Sequence, residues 1–194
     1  MRVRIGTSGF SYREWKGVFY PEKIKNEAML GYYAEQLDTV EINNTFHRMP
    51  RVELLEGWAA KVPDGFSFVL KTPRRISHRK AFAGVEETLP VFATNARTLG
   101  ARLGPALVQF PPWFKKDLET LAGFTDHVPE GFRCALEFRH ESWFNDDCYT
   151  FLADRSLAWV VSDQKTAEPP VVRTAPFGQQ PEIVVYRRHG EFLD

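Results

Sequence analysis

Two segments of the sequence carry a carboxylate side chain where acid/base chemistry would need one. Residues 39–46 and residues 134–143 each contain a short strand pattern, and strand side chains alternate between the two faces of a sheet. Glu41 therefore lies on the polar face of the first strand, and Glu137 lies with Arg139 on the polar face of the second. Paired carboxylates in different environments carry out glycosidic or proton-transfer chemistry. We predict Glu137 and Glu41 as a catalytic acid/base pair.

The same alternation predicts that further polar side chains share the direction of the two glutamates. Cations among them would bind a phosphate or carboxylate, and amides would orient a substrate. Lys71 could instead form a Schiff base or pair with a glutamate. We predict His189 as a catalytic proton carrier, with a hydrogen-bonded structural histidine as the alternative. The competing interpretation is a structural ion network, which produces similar clusters of charge. The predicted inward-facing residues are Arg4, Glu41, Asn43, Lys71, Gln109, Glu137, Arg139, Arg187 and His189.

Aromatic residues in predicted loops would complete the binding site as stacking platforms. We predict this role for Tyr12, Trp15, Tyr20 and Trp143, near a basic loop at residues 74–80. Cations combined with aromatic rings suit a phosphorylated sugar, a nucleotide or a short single strand. Nucleic acid is the weaker alternative, because the net charge is zero and a binding face needs a coherent basic stripe.

The sequence predicts no metal site and no cofactor. A metal would have to use Glu41, Glu137, Asp163 and His189, which offer one histidine where such sites usually have several. Nearby arginine and lysine side chains would also repel a cation. A P-loop, a GxGxxG motif after a strand and a GxSxG elbow are all absent from the sequence.

The composition is that of a globular protein with one domain, spanning residues 1–194. Hydrophobic residues make up 43% and charged residues 26% of the chain, which is enough to build a sizeable core. No apolar run reaches the roughly 18 residues of a membrane helix, and the N-terminal segment has the pattern of a strand and not of a signal peptide. The two cysteines form no metal or redox motif, so we predict a reduced, cytoplasmic setting.

Strand and helix patterns alternate along the whole chain, which predicts parallel strands with helices outside them. Seven such units fit an α/β (β/α)8 barrel of the TIM type that lacks its last unit, although such barrels usually have ~250 residues. The predicted strands are residues 3–6, 39–46, 66–71, 106–110, 134–138, 157–163 and 183–190. The predicted helices are residues 29–37, 52–61, 85–103, 115–127 and 146–155.

Several motifs in this order resemble the YecE-like family, whose shared region is called domain of unknown function 72. The resemblance implies a TIM-type barrel and no established activity. Relatives usually continue with a further helix and an eighth strand. We therefore expect either a fragment or a shortened form whose unclosed barrel exposes its first and seventh strands as edges, and we favour a truncated product. The motifs are residues 5–10, Trp15, residues 20–21, 40–46, 68–71, 109–112, 137–143 and 187–190.

Together these features predict a cofactor-independent enzyme that acts on a small anionic or sugar-like substrate, with no membrane partner. The alternative is a binding module that holds a nucleotide, a nucleic acid or another anion in the same place. A Glu137→Gln variant would separate them, since an enzyme would lose turnover and keep its ligand affinity, whereas a binder would keep or gain affinity for an anion.

Overall fold

The computed structural model describes residues 3–162 in full and the backbone of residues 163 and 185–188. All pairings between its strands are parallel, which confirms the predicted α/β class. The strands are β1 (Gly6–Ser8), β2 (Thr39–Ile42), β3 (Ser67–Leu70), β4 (Ala106–Gln109), β5 (Cys134–Glu137), β6 (Ala158–Asp163) and β7 (Val185–Arg188). The helices are α1 (Met29–Gln36), α2 (Val52–Ala59), α3 (Arg74–Ser77), α4 (Val85–Ala96), α5 (Leu118–Thr125) and α6 (Asp146–Asp154).

The chain divides into two compact units. The β1–β3 unit contains residues 2–73 and 91–105 and holds a sheet of order β1-β2-β3. In this sheet Ser8 aligns with Glu41, and Glu41 aligns with Val69. One face of β2 and β3 is fully buried against the helices, because alternate residues are apolar. The core of this unit includes Tyr33, Val40, Ile42, Leu55, Phe66, Phe68 and Leu70.

The β4–β7 unit contains residues 74–90 and 106–194 and holds a sheet of order β4-β5-β6-β7. Gln109 aligns with Glu137 on the neighbouring strand. Both faces of β4 and β5 are buried, as expected for central strands of a parallel sheet. The core is rich in aromatic rings, namely Phe82, Phe110, Phe124, Phe138, Trp143 and Trp159.

Local sequence signals fix where several elements begin and end. Asp117 caps α5 by accepting a hydrogen bond from the Thr120 backbone N–H at 2.9 Å, and Asn145 caps α6 in the same way. Two prolines directly after Phe110 end β4, because proline cannot donate to a strand ladder. Gly6 is required by close packing, since a Cβ atom there would lie 2.0 Å from the Thr39 carbonyl oxygen.

The predicted buried strand at residues 3–6 is wrong in position and in burial. Strand β1 begins only at Gly6, and the side chains of Val3 and Ile5 are 67% and 68% exposed. Pairing with β2 starts at Gly6, so the three residues before it have no packed layer to cover them. Hydrophobicity alone did not reveal this, because it does not specify where the neighbouring strand begins.

Three other segments differ from the predictions. Strand β2 ends at Ile42 instead of residue 46, because the Thr45 hydroxyl donates to the Ile42 and Lys71 carbonyls and turns the chain into a 3-10 helix. The basic loop after β3 contains α3, in which Ile76 is buried. The helix predicted to reach residue 103 changes to a 3-10 helix after Ala96. The remaining boundaries differ by a few residues.

Part of the C-terminal region lies outside the described residues, including His189. Strand β7 is described only as backbone, within the predicted strand at residues 183–190. No helix in the described part of the chain is long and apolar enough to cross a membrane.

Candidate functional site

The carboxyl end of β5 brings three predicted site residues together, and we call Gln109, Glu137 and Arg139 the β5-end cluster. Gln109 Nε2 donates to Glu137 Oε1 at 2.8 Å, and Arg139 Nε approaches the same oxygen at 3.3 Å. Glu137 is fully buried and Gln109 is 5% exposed, whereas the Arg139 side chain is one-third exposed. In this cluster the carboxylate of Glu137 is buried, and the Arg139 side chain that contacts it is partly exposed to solvent.

The register of the sheet explains this grouping. Gln109 and Glu137 are aligned residues of β4 and β5, so their side chains leave the sheet side by side on one face. The neighbouring residues Phe110 and Phe138 point to the other face, where their rings stack with centroids 5.0 Å apart. The alternation of polar and aromatic residues thus separates the cluster from the aromatic core.

Trp143 belongs to that aromatic core and does not form the predicted stacking platform. It is fully buried, its ring lies 4.5 Å from Phe138, and its indole N–H donates to the Phe114 carbonyl. The prediction failed because a loop tryptophan was assumed to be accessible. Here the loop folds back, and the polar edge of the ring is satisfied by backbone.

A histidine–serine pair that the sequence did not predict lies directly after the β5-end cluster. His140 Nδ1 accepts a hydrogen bond from the Ser142 backbone N–H at 3.1 Å and lies 2.9 Å from Ser142 Oγ. Ser142 Oγ in turn accepts from the Lys116 backbone N–H at 2.8 Å. These contacts define Nδ1 as an acceptor, so the neutral ring carries its proton on Nε2. The close spacing of His140 and Ser142 was the available signal.

A second group lies at the carboxyl ends of β1 and β2, and we call Ser8, Glu41 and Asn43 the β2-end cluster. Ser8 Oγ donates to Glu41 Oε1 at 2.8 Å, and Asn43 Nδ2 donates to Ser8 Oγ. Glu41 is half-buried, and Ser8 is exposed. Glu41 and Asn43 are therefore brought together, through a serine that sequence analysis did not include. The available signal was alternation, which places Ser8 on the same face as Gly6.

Lys71 lies next to the β2-end cluster at the end of β3. Its backbone N–H donates to the Ile42 carbonyl, and its ammonium group lies 4.6 Å from the centroid of the Phe46 ring. The side chain is 9% exposed. An ammonium group over an aromatic face is stabilised by the ring quadrupole. The carboxyl ends of these strands thus contain a buried cation as well as a carboxylate.

The aromatic residues of the loop after β1 have different roles. Tyr12 is 36% exposed, its hydroxyl donates to the Ser8 carbonyl, and its ring lies 4.8 Å from the Trp15 ring. Tyr20 is 2% exposed and donates to the Phe10 carbonyl, and burial raises its pKa to about 12. Tyr12 and half-buried Trp15 therefore present ring surface, whereas the predicted platform Tyr20 is a buried anchor of the loop.

Three of the predicted residues are not part of either cluster as described. Arg4 donates to the Asp38 and Gly65 carbonyls, which precede β2 and β3, so it lies at the amino ends of the strands, away from Glu41. Arg187 occupies β7 opposite Ser162, and only its backbone is described. His189 lies outside the described residues. The predicted position of Arg4 beside Glu41 is therefore wrong, whereas the predicted roles of Arg187 and His189 remain predictions.

The described residues contain no group of three or more histidine, cysteine, aspartate or glutamate side chains that could hold a metal ion. Both cysteines are unpaired and buried, and burial raises the pKa of Cys134 and of Cys148 to about 12. A buried thiol with so high a pKa is a poor nucleophile. The chemistry available in the two clusters is therefore that of carboxylates, amides, hydroxyls and cations.

Known proteins with similar sequences belong to the family that the sequence motifs resembled. The chain is 32% identical over 143 residues to the UPF0759 protein YecE of Escherichia coli K12, covering 73% of the chain and 50% of that protein. It is 28% identical over 170 residues to the UPF0759 protein YunF of Bacillus subtilis, covering 82% and 59% respectively. The chain thus spans about half to three-fifths of the length of these relatives.

Solved structures show the same fold. A DUF72 family protein from Thermotoga maritima matches with a TM-score of 0.80 and 32% identity, over 97% of this chain and 75% of that one. A DUF72 family protein from Enterococcus faecalis matches with a TM-score of 0.77 at 24% identity, over 97% and 71%. The family model described as "Protein of unknown function DUF72" matches residues 4–192. The chain belongs to this family, as its motifs predicted.

Proposed function

We propose that the protein is an acid/base enzyme acting on a small anionic or sugar-like substrate, with Glu137 as the catalytic carboxylate. The observation that carries this proposal is the β5-end cluster, in which a fully buried carboxylate is held at a strand end by Gln109 and Arg139. A buried charge is costly unless it is paired and hydrogen-bonded. Strand ends in parallel α/β folds are also where substrates bind.

Arg139 would bind the anionic part of the substrate. Its Nε contacts Glu137, and its two Nη groups meet no acceptor among the described residues. A guanidinium group presents a planar fork of N–H donors that matches phosphate and carboxylate oxygens. One side of Arg139 would therefore hold the catalytic carboxylate while the other binds substrate, which suits a phosphorylated sugar or a sugar acid.

In this mechanism Glu137 takes a proton from a substrate hydroxyl or C–H group and returns it later in the reaction. Gln109 donates to Glu137 Oε1 and holds the carboxylate in one orientation. Glu41 is the proposed second carboxylate, with His189 and Arg187 as further members of the site and Lys71 as a second cation. Two carboxylates in different environments can divide the acid and base roles. Exposure already differs between them, because Glu137 is fully buried and Glu41 is half-buried.

We propose the TIM-type (β/α)8 barrel as the finer description of the fold. At least one helix lies between each pair of consecutive strands from β1 to β6, and all described pairings are parallel. This alternation is the sequence order of such a barrel. A crystal structure of the chain tests it, since one continuous sheet would support the barrel and two separate sheets would contradict it. The unpaired, buried cysteines support a reduced, cytoplasmic setting.

The test of function is a turnover assay on three forms of the chain: wild type, Glu137→Gln and Glu119→Gln. Glu119 is an exposed glutamate of α5 and serves as the matched control. Each form is incubated with sugar phosphates, sugar acids and p-nitrophenyl glycosides, and loss of substrate is followed by mass spectrometry. We expect Glu137→Gln to lower kcat at least about 100-fold, because general acid–base catalysis contributes roughly 10²–10⁴-fold. Glu119→Gln should behave like wild type.

Binding measurements separate this proposal from the alternative of an anion-binding module. The affinity of Glu137→Gln for the substrate found, measured by calorimetry, should stay within a few-fold of wild type. Arg139→Lys should raise KM for an anionic substrate, because lysine keeps the charge and loses the fork. If no form turns over any compound while Glu137→Gln binds phosphate as tightly as wild type or more tightly, the protein is a binder and the enzyme proposal is wrong.

A further inference from the structure

The ring of His140 is fixed in one orientation by the hydrogen bonds of its Nδ1 atom. Nδ1 accepts from the Ser142 backbone N–H at 3.1 Å and lies 2.9 Å from Ser142 Oγ. A backbone N–H group can only donate, so Nδ1 carries no hydrogen and the ring N–H group is at Nε2. His140 therefore presents a single donor, at the edge of the ring away from Ser142.

Ser142 is itself held by the loop that follows β4. Its Oγ accepts from the Lys116 backbone N–H at 2.8 Å, and its carbonyl oxygen accepts from Asn145 Nδ2 at 2.7 Å. The Lys116 ammonium group donates to Asn145 Oδ1 at 2.7 Å, which closes this network. A donor whose supporting contacts are already made needs no reorganisation when a ligand arrives. The Nε2–H group of His140 is therefore preorganised.

The Nε2 atom of His140 is accessible to a ligand. It forms no hydrogen bond with any of the described residues, and it is not one of the unpaired polar atoms that the described fold closes off from solvent. The residue is half-buried, so one edge of its ring remains in contact with solvent. This edge can donate to a bound molecule without any movement of the fold.

The residue before His140 indicates the class of ligand. The Arg139 side chain is one-third exposed, and its two Nη groups meet no acceptor among the described residues. The chain bends at His140 and enters a 3-10 helix, Glu141–Trp143, so the regular alternation of the strand ends there. Consecutive residues at this strand end thus present a cation and a neutral N–H group, and both are donors only. The oxygen atoms of an anion are the acceptors that match them.

A role as a helix cap explains only half of this arrangement. His140 caps the 3-10 helix through Nδ1. Serine, threonine, aspartate and asparagine are the usual residues at such a position, because a side-chain oxygen is sufficient for the bond. Capping uses one of the two ring nitrogens and leaves the Nε2–H group available.

We propose that His140 is a substrate-binding residue whose Nε2–H group donates to an oxygen of the anionic group that Arg139 binds. The inference rests on the proposed function for the presence of an anionic substrate at the end of β5. All the residues that it uses lie in the β4–β7 unit. The bound group is a phosphate or a carboxylate, since both offer oxygen acceptors to these donors. A neutral imidazole N–H group can polarise a substrate oxygen.

Two replacements of His140 separate anion binding from helix capping. His140→Asn keeps an acceptor in place of Nδ1 and is a good cap, but its side chain is too short to reach the place of Nε2. His140→Gln keeps an N–H group near the place of Nε2 and loses the cap. His127→Asn is the matched control, at an exposed histidine that follows α5 in the same unit.

Each form is titrated at pH 7 with inorganic phosphate and separately with acetate, against sodium chloride at equal ionic strength. Nitrogen NMR follows the histidine side chains, and calorimetry gives the affinity. We expect the signal that His140→Asn lacks to belong to an Nε2-protonated ring and to shift with phosphate, acetate or both. His140→Asn should bind the anion about tenfold more weakly than wild type and more weakly than His140→Gln. His127→Asn should match wild type. A response to phosphate alone indicates a phosphorylated substrate, and a response to acetate alone indicates a sugar acid.

Thermal unfolding without anion reports on the cap. The Tm of His140→Asn should stay close to that of wild type, whereas His140→Gln should unfold a few degrees lower. The inference is wrong if neither anion shifts the His140 signal, or if His140→Asn binds as tightly as wild type or as His140→Gln. Turnover that needs Glu137, together with either of these results, would keep the proposed function and lose only this inference. The reverse result, anion binding through His140 with no effect of Glu137→Gln on turnover, would overturn the catalytic proposal alone.

Discussion

Two strand ends in this protein carry a glutamate, yet they are built in opposite ways. At the end of β5, Glu137 is fully buried and shares one oxygen between an amide and a guanidinium group. At the end of β2, Glu41 is half-buried and accepts from a serine hydroxyl. The first carboxylate contacts a cation, and the second accepts a hydrogen bond from a neutral hydroxyl that in turn accepts from Asn43.

The surrounding packing accounts for this difference. At the β5-end cluster Glu137 is fully buried and out of contact with water, so its charge needs the Arg139 cation. Beside the β2-end cluster, the ring of Tyr12 is partly exposed, and solvent can stabilise Glu41. The two strand ends thus differ in burial, because Glu137 is closed off from solvent and Glu41 is not.

The largest expected difference is in thiol reactivity. Cys134 on β5 and Cys148 on α6 are buried, with pKa values raised to about 12 by burial. A Ser8→Cys variant would place an ordinary thiol, of pKa about 8.5, at the open strand end. At pH 8 we expect the introduced thiol to react with DTNB at least about 1,000-fold faster than the native pair, because the thiolate fractions differ by roughly that factor.

The native protein supplies the control for this assay. In denaturant all thiols should react at one common rate, which would show that burial causes the protection. Fast reaction of the native thiols without denaturant would mean that the core around Cys134 and Cys148 is open to solvent.

Removing one aromatic residue from each strand end should have unequal effects on stability. Trp143→Ala should lower the free energy of unfolding by about 3–5 kcal/mol, because it opens a cavity in the ring stack. Tyr12→Ala should cost about 1 kcal/mol, since its ring is partly exposed and one hydrogen bond is lost. Urea unfolding of both variants measures the difference. Equal losses would contradict the assignment of Trp143 to the core and of Tyr12 to a binding surface.

Replacing each glutamate by alanine should also lower the free energy of unfolding more at the β5 end than at the β2 end, by smaller amounts than the aromatic replacements. Glu137→Ala removes one hydrogen-bond acceptor of the buried Gln109 and the ion pair of Arg139, so a loss of about 3 kcal/mol is expected. Glu41→Ala should cost about 1 kcal/mol or less, because Glu41 is half-buried and Ser8 can turn to water. Chemical unfolding at pH 7 provides the comparison. A larger loss for Glu41→Ala would show that the β2 end is the structural one.

The sequence predicted the two glutamates better than it predicted their surroundings. Alternation within each strand predicted that Gln109 and Glu137 face the same way, and the structure aligns them because β4 and β5 pair in that register. The same alternation gave a wrong position for Arg4. Strand β1 begins at Gly6 and not at residue 3, and the Arg4 side chain bonds to carbonyls at the amino ends of β2 and β3. Single-strand patterns specify a face but not the level at which a strand pairs.

Loop residues were harder to predict for a related physical reason. Tyr12, Tyr20 and Trp143 all lie in aromatic loops, but only Tyr12 keeps an exposed ring. The other two donate to backbone carbonyls of distant loop residues, and such tertiary hydrogen bonds leave no periodic signal in the sequence. Ser8 was missed because serine before a glycine is typical of a turn. In the structure it is the last residue of β1 and bonds to Glu41.

The smallest expected effects concern two tyrosines with buried hydroxyl groups, one in each unit. The Tyr20 hydroxyl donates to the Phe10 carbonyl, whereas the Tyr149 hydroxyl is buried and has no hydrogen-bond partner among the described residues. At pH 7, Tyr20→Phe should therefore lower the free energy of unfolding by about 1 kcal/mol. Tyr149→Phe should leave it unchanged or slightly higher, because the variant removes an unsatisfied polar atom. Urea unfolding at pH 7 measures both values.

At high pH the two Tyr→Phe variants should change the free energy of unfolding in the same direction. Burial raises the pKa of both side chains from 10.0 to about 12, so each hydroxyl remains protonated in the folded chain after it has ionised in the unfolded chain. Stability is therefore fully present below pH 10 and falls as the pH rises from 10 towards 12. Each Tyr→Phe variant should show a shallower fall than wild type in this window. If Tyr149→Phe alone followed wild type, its hydroxyl would be reached by solvent, and the β4–β7 unit would be less sealed than its ring stack indicates.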